Sequence, residues 1–588
     1  MSSEGRQFMR NFAVTLTAEP IFGRTLTMAE CSAVLAKMSL GAVVGRLALF
    51  KHVNEEVLGD PDASIETRKM HTMRMLHTLL DAPHVTKALA DANNDPNFRP
   101  VSDQALLATL ELALCCCPRG TDKWITGDPL RLELAHVLLS FQSALFSRDF
   151  HARADKETSF ESLGAEGQAE FIRNTLAHNL GLYSRHAIGR LYAFCRVPAV
   201  TDAVLARTGQ SVHDWFVETF QLTPDEYLCC AFLAGGPAKR LNLNEPDPDA
   251  LAYNEDTYWQ ALKEPERSKV KSLLSLATQM AGEPKGAPGG ELDQFLYAAG
   301  SFHVRPVLTM PPVSICISPD LMLRKFLFGL PYLAQEGRVR TLGRPLNDGE
   351  LKHCRAAVGI LFEAYVAWLV RQLLGPVPNI RILPNVTYGP KGERRETDLV
   401  VICGDTALVL EIKTTMASLN FRKTGRFEDL DAILQAGAVQ AYRAARALRA
   451  DQASEADGQP IEGVRWAIPC VVTYDDIPLF EPISVFYEHH LTEKTKLPLF
   501  VAADGVEAVQ FFDVDFLESW EDEIDLSPGS RAVFGYLIQR ARQEDLRYRK
   551  LRSGIVTAPS AGAPRPFNGL VEDSRVFMER AARSWLRK

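Results

Sequence analysis

Three charged residues in one short stretch could do chemistry together: Asp398, Glu411 and Lys413, within Thr397–Lys413 (TDLVVICGDTALVLEIK). Two apolar runs meet there at Gly404-Asp405, a Gly-X pair suited to a two-residue II′ hairpin turn. With those two residues as the loop, Cys403 faces Thr406, and counting outward sets Asp398 opposite Glu411. Directly opposed residues on an antiparallel pair have Cβ atoms roughly 5 Å apart, so two like charges there repel. Strand alternation puts Glu411 and Lys413 on one face. Two carboxylates and one ammonium therefore converge inside an apolar hairpin. A hard divalent cation, which takes oxygen ligands, would relieve the repulsion. The purely structural alternative is a salt-bridged hairpin, with Lys413 neutralising one acid and water solvating the other.

Two flanking segments must position these groups. Leu351–Leu374 has helical periodicity, with Glu363 on a stripe formed by Ala356, Gly359, Ile360, Val366, Ala367 and Val370. A lone acid on such a stripe is costly unless it meets a cation or snorkels at the margin. After the hairpin, Asp429–Leu448 reads as a helix whose small face runs Ala436, Gly437, Gln440, Ala441, Ala444, with Gln440 as its polar interruption. Between the first helix and the hairpin, Ile380–Tyr388 reads as an edge strand, because Pro384 cannot donate to a ladder. Arg465–Thr473 reads as a buried strand, and Ala508–Phe516 as a further strand or strand–helix junction.

The spacing Asp398-x(12)-Glu411-Ile412-Lys413, with these flanking helices, resembles the metal-binding core of the PD-(D/E)XK nuclease superfamily. The resemblance covers about Leu351–Phe516 and departs in one place, where Thr397 rather than Pro precedes Asp398. It implies a restriction-endonuclease-like α/β core, a mixed central sheet flanked by helices. It implies further that Asp398 and Glu411, with the Ile412 carbonyl, bind Mg²⁺ or Mn²⁺. Lys413 would position the attacking water, and Glu363 would hold a second metal or a metal-bound water. Gln440 matches a Gln found in the nuclease domains of bacterial recombination helicases. Their accompanying Tyr lies four residues on, whereas Tyr442 here follows after two. The implied reaction is phosphodiester hydrolysis, with DNA favoured over RNA.

The chain has 588 residues, 46% of them apolar and 23% charged, which bounds the expectation to a soluble multi-domain protein. A net charge of −8 excludes a generally basic nucleic-acid coat but leaves room for a local basic groove. Arg422, Lys423 and Arg426 after the hairpin, with Arg443, Arg446 and Arg449 on the helix that follows, are the candidates for phosphate contacts. Eleven cysteines lack zinc spacing and read as buried thiols. His71, His77, His136, His178 and the pair His489-His490 have no convincing ligand pattern. No signal peptide or apolar run of membrane-spanning length stands out, so a cytoplasmic protein without membrane partners is expected.

The expected architecture is α+β/α and multi-domain. Residues 1–282 read as helical, in segments such as Ala105–Leu114, Pro129–Phe146, Ala165–Ala177, Asp202–Phe220 and Glu255–Met280. This half reads as a sensor, a nucleic-acid platform, or a surface for a protein partner or self-association. The linker Ala281–Glu291 precedes a connecting module at 292–345, with strand-like runs at Val304–Met310 and Val313–Ser318 and a helix at Pro319–Ala334 exposing Arg324 and Lys325. The nuclease-like domain takes 346–545, including a helix at Ser530–Asp545. Residues 546–588 form a linker, Thr557–Pro566, and a basic helix, Ser574–Lys588. The chain carries no P-loop, G-x-S-x-G elbow, H-E-x-x-H pair or G-x-G-x-x-G turn. A sensor-plus-nuclease layout would suit phage defence or DNA repair. The alternative is a catalytically silent nuclease fold whose helical half is the working part.

Overall fold

The computed structural model describes residues 16–59, 76–92, 101–119, 128–145, 187–235, 251–283, 301–311, 313–375, 379–390, 392–414, 424–474, 483–520 and 566–586, with scattered single positions between them. Helices dominate the N-terminal half, and the larger sheet lies in the C-terminal half, an α+β arrangement. Ala165–Ala177, Ser530–Asp545 and the linker at Thr557–Pro566 fall mostly outside the described residues, as do Arg422, Lys423, His71 and His178.

Among the described residues, six helices come first: α1 (Ala18–Phe22), α2 (Met28–Leu35), α3 (Leu40–Gly59), α4 (Ala82–Ala92), α5 (Asp103–Cys116) and α6 (Asp128–Leu145). Their apolar faces share one core with Leu308, Ile315, Ile317 and Leu321 of the connecting module. Four more follow: α7 (Ala187–Arg196), α8 (Pro198–Thr208), α9 (Val212–Phe220) and α10 (Pro224–Ala234). The segment Asp202–Phe220 is two helices because Gly209 takes φ +73 and caps the first. Val200, Val204, Trp215 and Phe216 of this group join the core of the larger sheet, not that of α1–α6. The apolar clusters thus part near residue 187, and both run across the linker after 282: the core of the larger sheet holds Leu273 and Ala277 before it with Val307 and Cys316 after it, and the core of α1–α6 holds Leu251 and Leu292.

Glu255–Met280 departs from the continuous helix expected of it. It holds a π-helical turn at Glu255–Trp259, then α11 (Glu266–Leu274), then an extended stretch, β2 (Thr278–Met280). Pro265 stands just before α11, where its missing N–H costs nothing. A small sheet is ordered β1-β4-β3-β2, from β1 (Ala252–Tyr253), β2, β3 (Val307–Met310) and β4 (Val313–Cys316). Lys325, expected to be exposed, is buried, and its ammonium meets Glu336 of α12 (Leu330–Leu342) at 2.6 Å.

The larger sheet is built on α13 (Asp348–Leu374), β5 (Ile380–Tyr388), β6 (Arg395–Cys403), β7 (Thr406–Lys413), α14 (Phe427–Arg449), β8 (Ala453–Ser454), β9 (Pro460–Ile461) and β10 (Trp466–Thr473). After α15 (Ile483–Thr495), it closes with β11 (Gln510–Asp513) and α16 (Val514–Glu518). Its strand order is β11-β10-β7-β6-β5-β8-β9; β5, β6 and β7 run antiparallel, while β10 is parallel to both β7 and β11. Pro384 sits where β5 has β6 on one side only, since β8 pairs only with Thr387 and Tyr388. One face of the sheet packs Leu399, Val401, Leu408, Leu410 and Ile412 against α13; the other packs Val400, Ile402, Ala407 and Val409 against α14. Helix α13 is long and apolar enough to cross a membrane, which the sequence reading did not anticipate. Most of that stretch is buried against the sheet, as befits a core helix.

The last helix, α17 (Pro566–Trp585), begins eight residues before the expected Ser574 and leans on α7 and α10. Arg196 lies over the Phe577 ring, 4.6 Å from its centroid. One buried ion cluster ties the helical half to the sheet. Arg190 of α7 donates from Nε to Glu518 Oε1 and from Nη2 to Glu518 Oε2, both at 2.8 Å, and to Asp515 Oδ1 at 2.5 Å. The Tyr365 hydroxyl of α13 adds a 2.8 Å bond to the same Glu518 carboxylate. Arg190 and Glu518 are both sealed from solvent.

Candidate active site

The hairpin forms in the expected register, with Cys403 opposite Thr406 and pairing continuous to Leu399–Leu410. Gly404 has φ +61 and Asp405 has no positive φ, the combination a II′ turn requires. Ladder pairing ends one step before Asp398 and Glu411. There the Asp398 side chain accepts a hydrogen bond from the Ile412 N–H, at 2.6 Å, so a carboxylate replaces a backbone partner where the strands part.

Glu411 is almost fully buried. Its Oε1 meets Lys413 Nζ at 2.6 Å, and its Oε2 accepts from Thr397 Oγ1 at 3.2 Å. Thr397 is itself buried. Its role as a hydrogen-bond partner of Glu411 was not anticipated from sequence, where only its identity was noted. Burial pushes Asp398 up to about 7, reinforced by the charge of Glu411 and opposed by the Ile412 N–H and Lys413. Burial also pushes Glu411 upward, against the pull of Lys413 and Thr397. Two acids sharing one ammonium in a low-dielectric site cannot both ionise without cost.

The two helices meet the site from opposite faces. On α14, a Cβ added to Gly437 would lie 3.3 Å from Lys413 Cε and 3.1 Å from Val471 Cγ1, so this glycine makes room for the lysine stem. Gln440 stands one turn further on the same helix, half-buried, and its main-chain carbonyl accepts from the Tyr388 hydroxyl at 3.3 Å. Of the expected small face, Gly437, Ala441 and Ala444 are buried and Ala436 is exposed; Tyr442 is buried in the core beneath. On α13, Gly359 faces Thr414, the residue after β7.

Glu363, one turn beyond Gly359, is near enough for its charge to push both Asp398 and Glu411 up. It does not stand on the buried stripe. That stripe is centred on Val358, Leu361, Phe362, Tyr365, Val366 and Leu369, and Glu363 sits at its margin, ion-paired to Arg207 of α8. The sequence misplaced it because α13 is apolar almost all round, and the small residues Ala356, Gly359 and Ala367 line a shallower, partly exposed side. Among the described residues, no three His, Cys, Asp or Glu side chains gather as a metal-ligating group.

The basic residues divide. Arg443, with Arg395 at the start of β6, lies near Tyr388. Burial pushes that phenol up, as do Glu411 and Asp398, while the two arginines pull it down. Tyr388 and Arg395 thus border the acids, although neither was read as functional from sequence; the Arg394-Arg395 pair was the only available signal. Arg446 is exposed one turn beyond Arg443, and Arg426 is exposed at the other end of α14, about 25 Å away along the axis. Arg449 is already committed, donating to the carbonyls of Asp504 (3.0 Å) and Val464 (2.9 Å). His490 is likewise engaged, with Asp431 at 2.8 Å beside Lys494 and Tyr487.

Magnesium or manganese fits this donor set: hard carboxylate oxygens, negative charge in excess of the one ammonium, and burial that penalises leaving it uncompensated. Comparison of the chain with family models, with curated proteins and with solved structures finds no match.

Proposed function

We propose that this chain is a metal-dependent nuclease, hydrolysing phosphodiester bonds with DNA ahead of RNA as substrate. The observation that carries the reading is the pair Asp398–Glu411 at the point where β6 and β7 part, buried, with Lys413 as its only close cation among the described residues. Asp398, Glu411 and the Ile412 carbonyl would hold Mg²⁺ or Mn²⁺, with Glu363 a further carboxylate whose charge reaches both acids. A cation bound there supplies charge neutralisation at the phosphate and a more acidic water.

The chain's own groups do the rest. Lys413, its stem laid against Gly437 and its ammonium on Glu411, would hold the attacking water or meet negative charge as it develops. Thr397 and the Ile412 N–H orient the two carboxylates. Gln440 shares the Gly437 face, one turn further along α14. Arg443 and Arg446, with Arg395 nearby and Arg426 further along α14, form a track for backbone phosphates that reads no sequence.

A second reading, a silent nuclease fold that binds nucleic acid without cutting it, draws on the absence of a third carboxylate gathered with the pair among the described residues. Incubation of the purified chain with linear and circular DNA and with RNA, in Mg²⁺, Mn²⁺ or EDTA, separates the two. Cleavage that requires the cation and disappears in Glu411→Gln supports the nuclease. Binding without cleavage under every cation condition supports the scaffold and overturns the proposal.

A further inference from the structure

A carboxylate beside the acid pair is held by an arginine from the helical half. Helix α8 lies along α13 and seats Val200 and Val204 in their shared core. On its last turn, Arg207 Nη1 donates to Glu363 Oε2. Gly209 ends α8 directly afterwards, so the guanidinium sits at a helix C-terminus, where free carbonyls favour a cation. Beyond the cap, Gln210 Oε1 lies 3.0 Å from His353 Nε2, a second tie to α13. Unlike the sealed Arg190–Glu518 pair, this one is open: the two side chains are 53% and 30% exposed. Its acid is the one whose charge reaches both Asp398 and Glu411.

We propose that Arg207 is a phosphate-binding residue supplied by the helical half, paired with Glu363 in the free protein and transferred to a backbone phosphate when nucleic acid enters. The transfer frees Glu363 to join the cation held by Asp398 and Glu411. This rests on the nuclease reading and assigns the helical half a place in its active site. A guanidinium presents the same planar fork to carboxylate and to phosphate, so one partner replaces the other without rebuilding the site. An exposed ion pair contributes little stability, so its exchange meets little resistance. Because the cation and the phosphate would each relieve the same pair, binding of one must strengthen binding of the other.

The test measures binding on the full chain without turnover. Mn²⁺ affinity is taken by calorimetry in the absence of nucleic acid, and affinity for a short DNA duplex is taken in EDTA across a salt series. Arg207→Ala is expected to bind Mn²⁺ several-fold more tightly than the parent, and this gain is expected to vanish in Arg207→Ala/Glu363→Gln. The same variant should bind the duplex more weakly, with the salt slope reduced by about one. Arg207→Lys, which keeps the charge but not the fork, should fall between; its melting temperature, with that of Arg207→Ala, verifies folding. Parental Mn²⁺ affinity or a parental salt slope in Arg207→Ala overturns the proposal and leaves a surface ion pair. A parent chain that binds no Mn²⁺ overturns the nuclease reading itself, an outcome visible before any variant is compared.

Discussion

Two buried clusters in this molecule contain the same charges, two carboxylates and one cation, and differ in how well those charges are satisfied. Around Arg190, both Glu518 oxygens are met by the guanidinium fork, the Tyr365 hydroxyl adds a further bond, Asp515 shares the Nη2 that meets Glu518, and Nη1 reaches the Tyr474 carbonyl. At the hairpin, one ammonium meets one oxygen of Glu411, Thr397 meets the other, and Asp398 has the Ile412 N–H. A fork with five fixed donors can close a cluster, whereas a point charge cannot. The first cluster is a joint between α7, α13 and α16. The second leaves one acid without a counter-charge, so that acid keeps a proton which a cation would displace.

The contrast is broken most sharply by removing one acid at the hairpin. Asp398→Ala or Glu411→Ala is expected to abolish cleavage while leaving the metal-free fold as stable as the parent or more so. Asp398→Asn adds a pH test. Asp398 titrates at about 7 in the folded chain and near its ordinary 3.8 when unfolded. Between those values the folded state binds more protons, so metal-free stability falls as pH rises across the window, by at most about 1.4 kcal/mol per pH unit. Melting curves should therefore show Asp398→Asn gaining on the parent above pH 7 and losing that gain towards pH 4. A large loss of stability at all pH values would make the acids structural.

At the other cluster the order of effects inverts. Arg190→Ala leaves Glu518 buried without its partner and should cost about 3–5 kcal/mol in denaturant unfolding. Cleavage per folded molecule should change far less than in the hairpin variants. An Arg190→Ala chain as stable as the parent would remove the joint from the account.

The smallest of these effects concerns the lysine. Lys413→Met keeps the aliphatic stem against Gly437 and should lower turnover about 10²–10³-fold, with Mn²⁺ affinity changed much less, since an ammonium is not a ligand. Gly437→Val should act in the same direction by displacing that stem. Steady-state rates and calorimetry separate the two quantities, and full activity in Lys413→Met would exclude the lysine from the reaction.

The two clusters were unequally legible in the sequence. The hairpin could be read because its parts are local: a Gly-Asp turn, strict alternation and a fixed count from the loop outward. The helix carrying Gly437 and Gln440, and the strand Trp466–Thr473, followed from periodicity and apolar runs. The Arg190 joint could not be read, because its arginine and glutamate are 328 residues apart and each alone looks like an ordinary surface residue. Arg207 escaped for the same reason. Glu363 was placed on the right helix but the wrong line of it, since a helix apolar on nearly every side offers no moment to orient it. The extended stretch at Thr278–Met280 was hidden because its partner, β3, lies beyond the linker after residue 282.

The central claim, that the hairpin acids are a cation site, is tested most directly by calorimetric titration of Mn²⁺ into the full chain and into Glu411→Gln near pH 7. Running each titration in buffers of different ionisation enthalpy also counts the protons released. The parent is expected to bind Mn²⁺ with proton release, because the ion displaces the proton that Asp398 and Glu411 otherwise share. The variant is expected to lose most of both. Equal binding by the two proteins, or no binding by the parent, would contradict the claim.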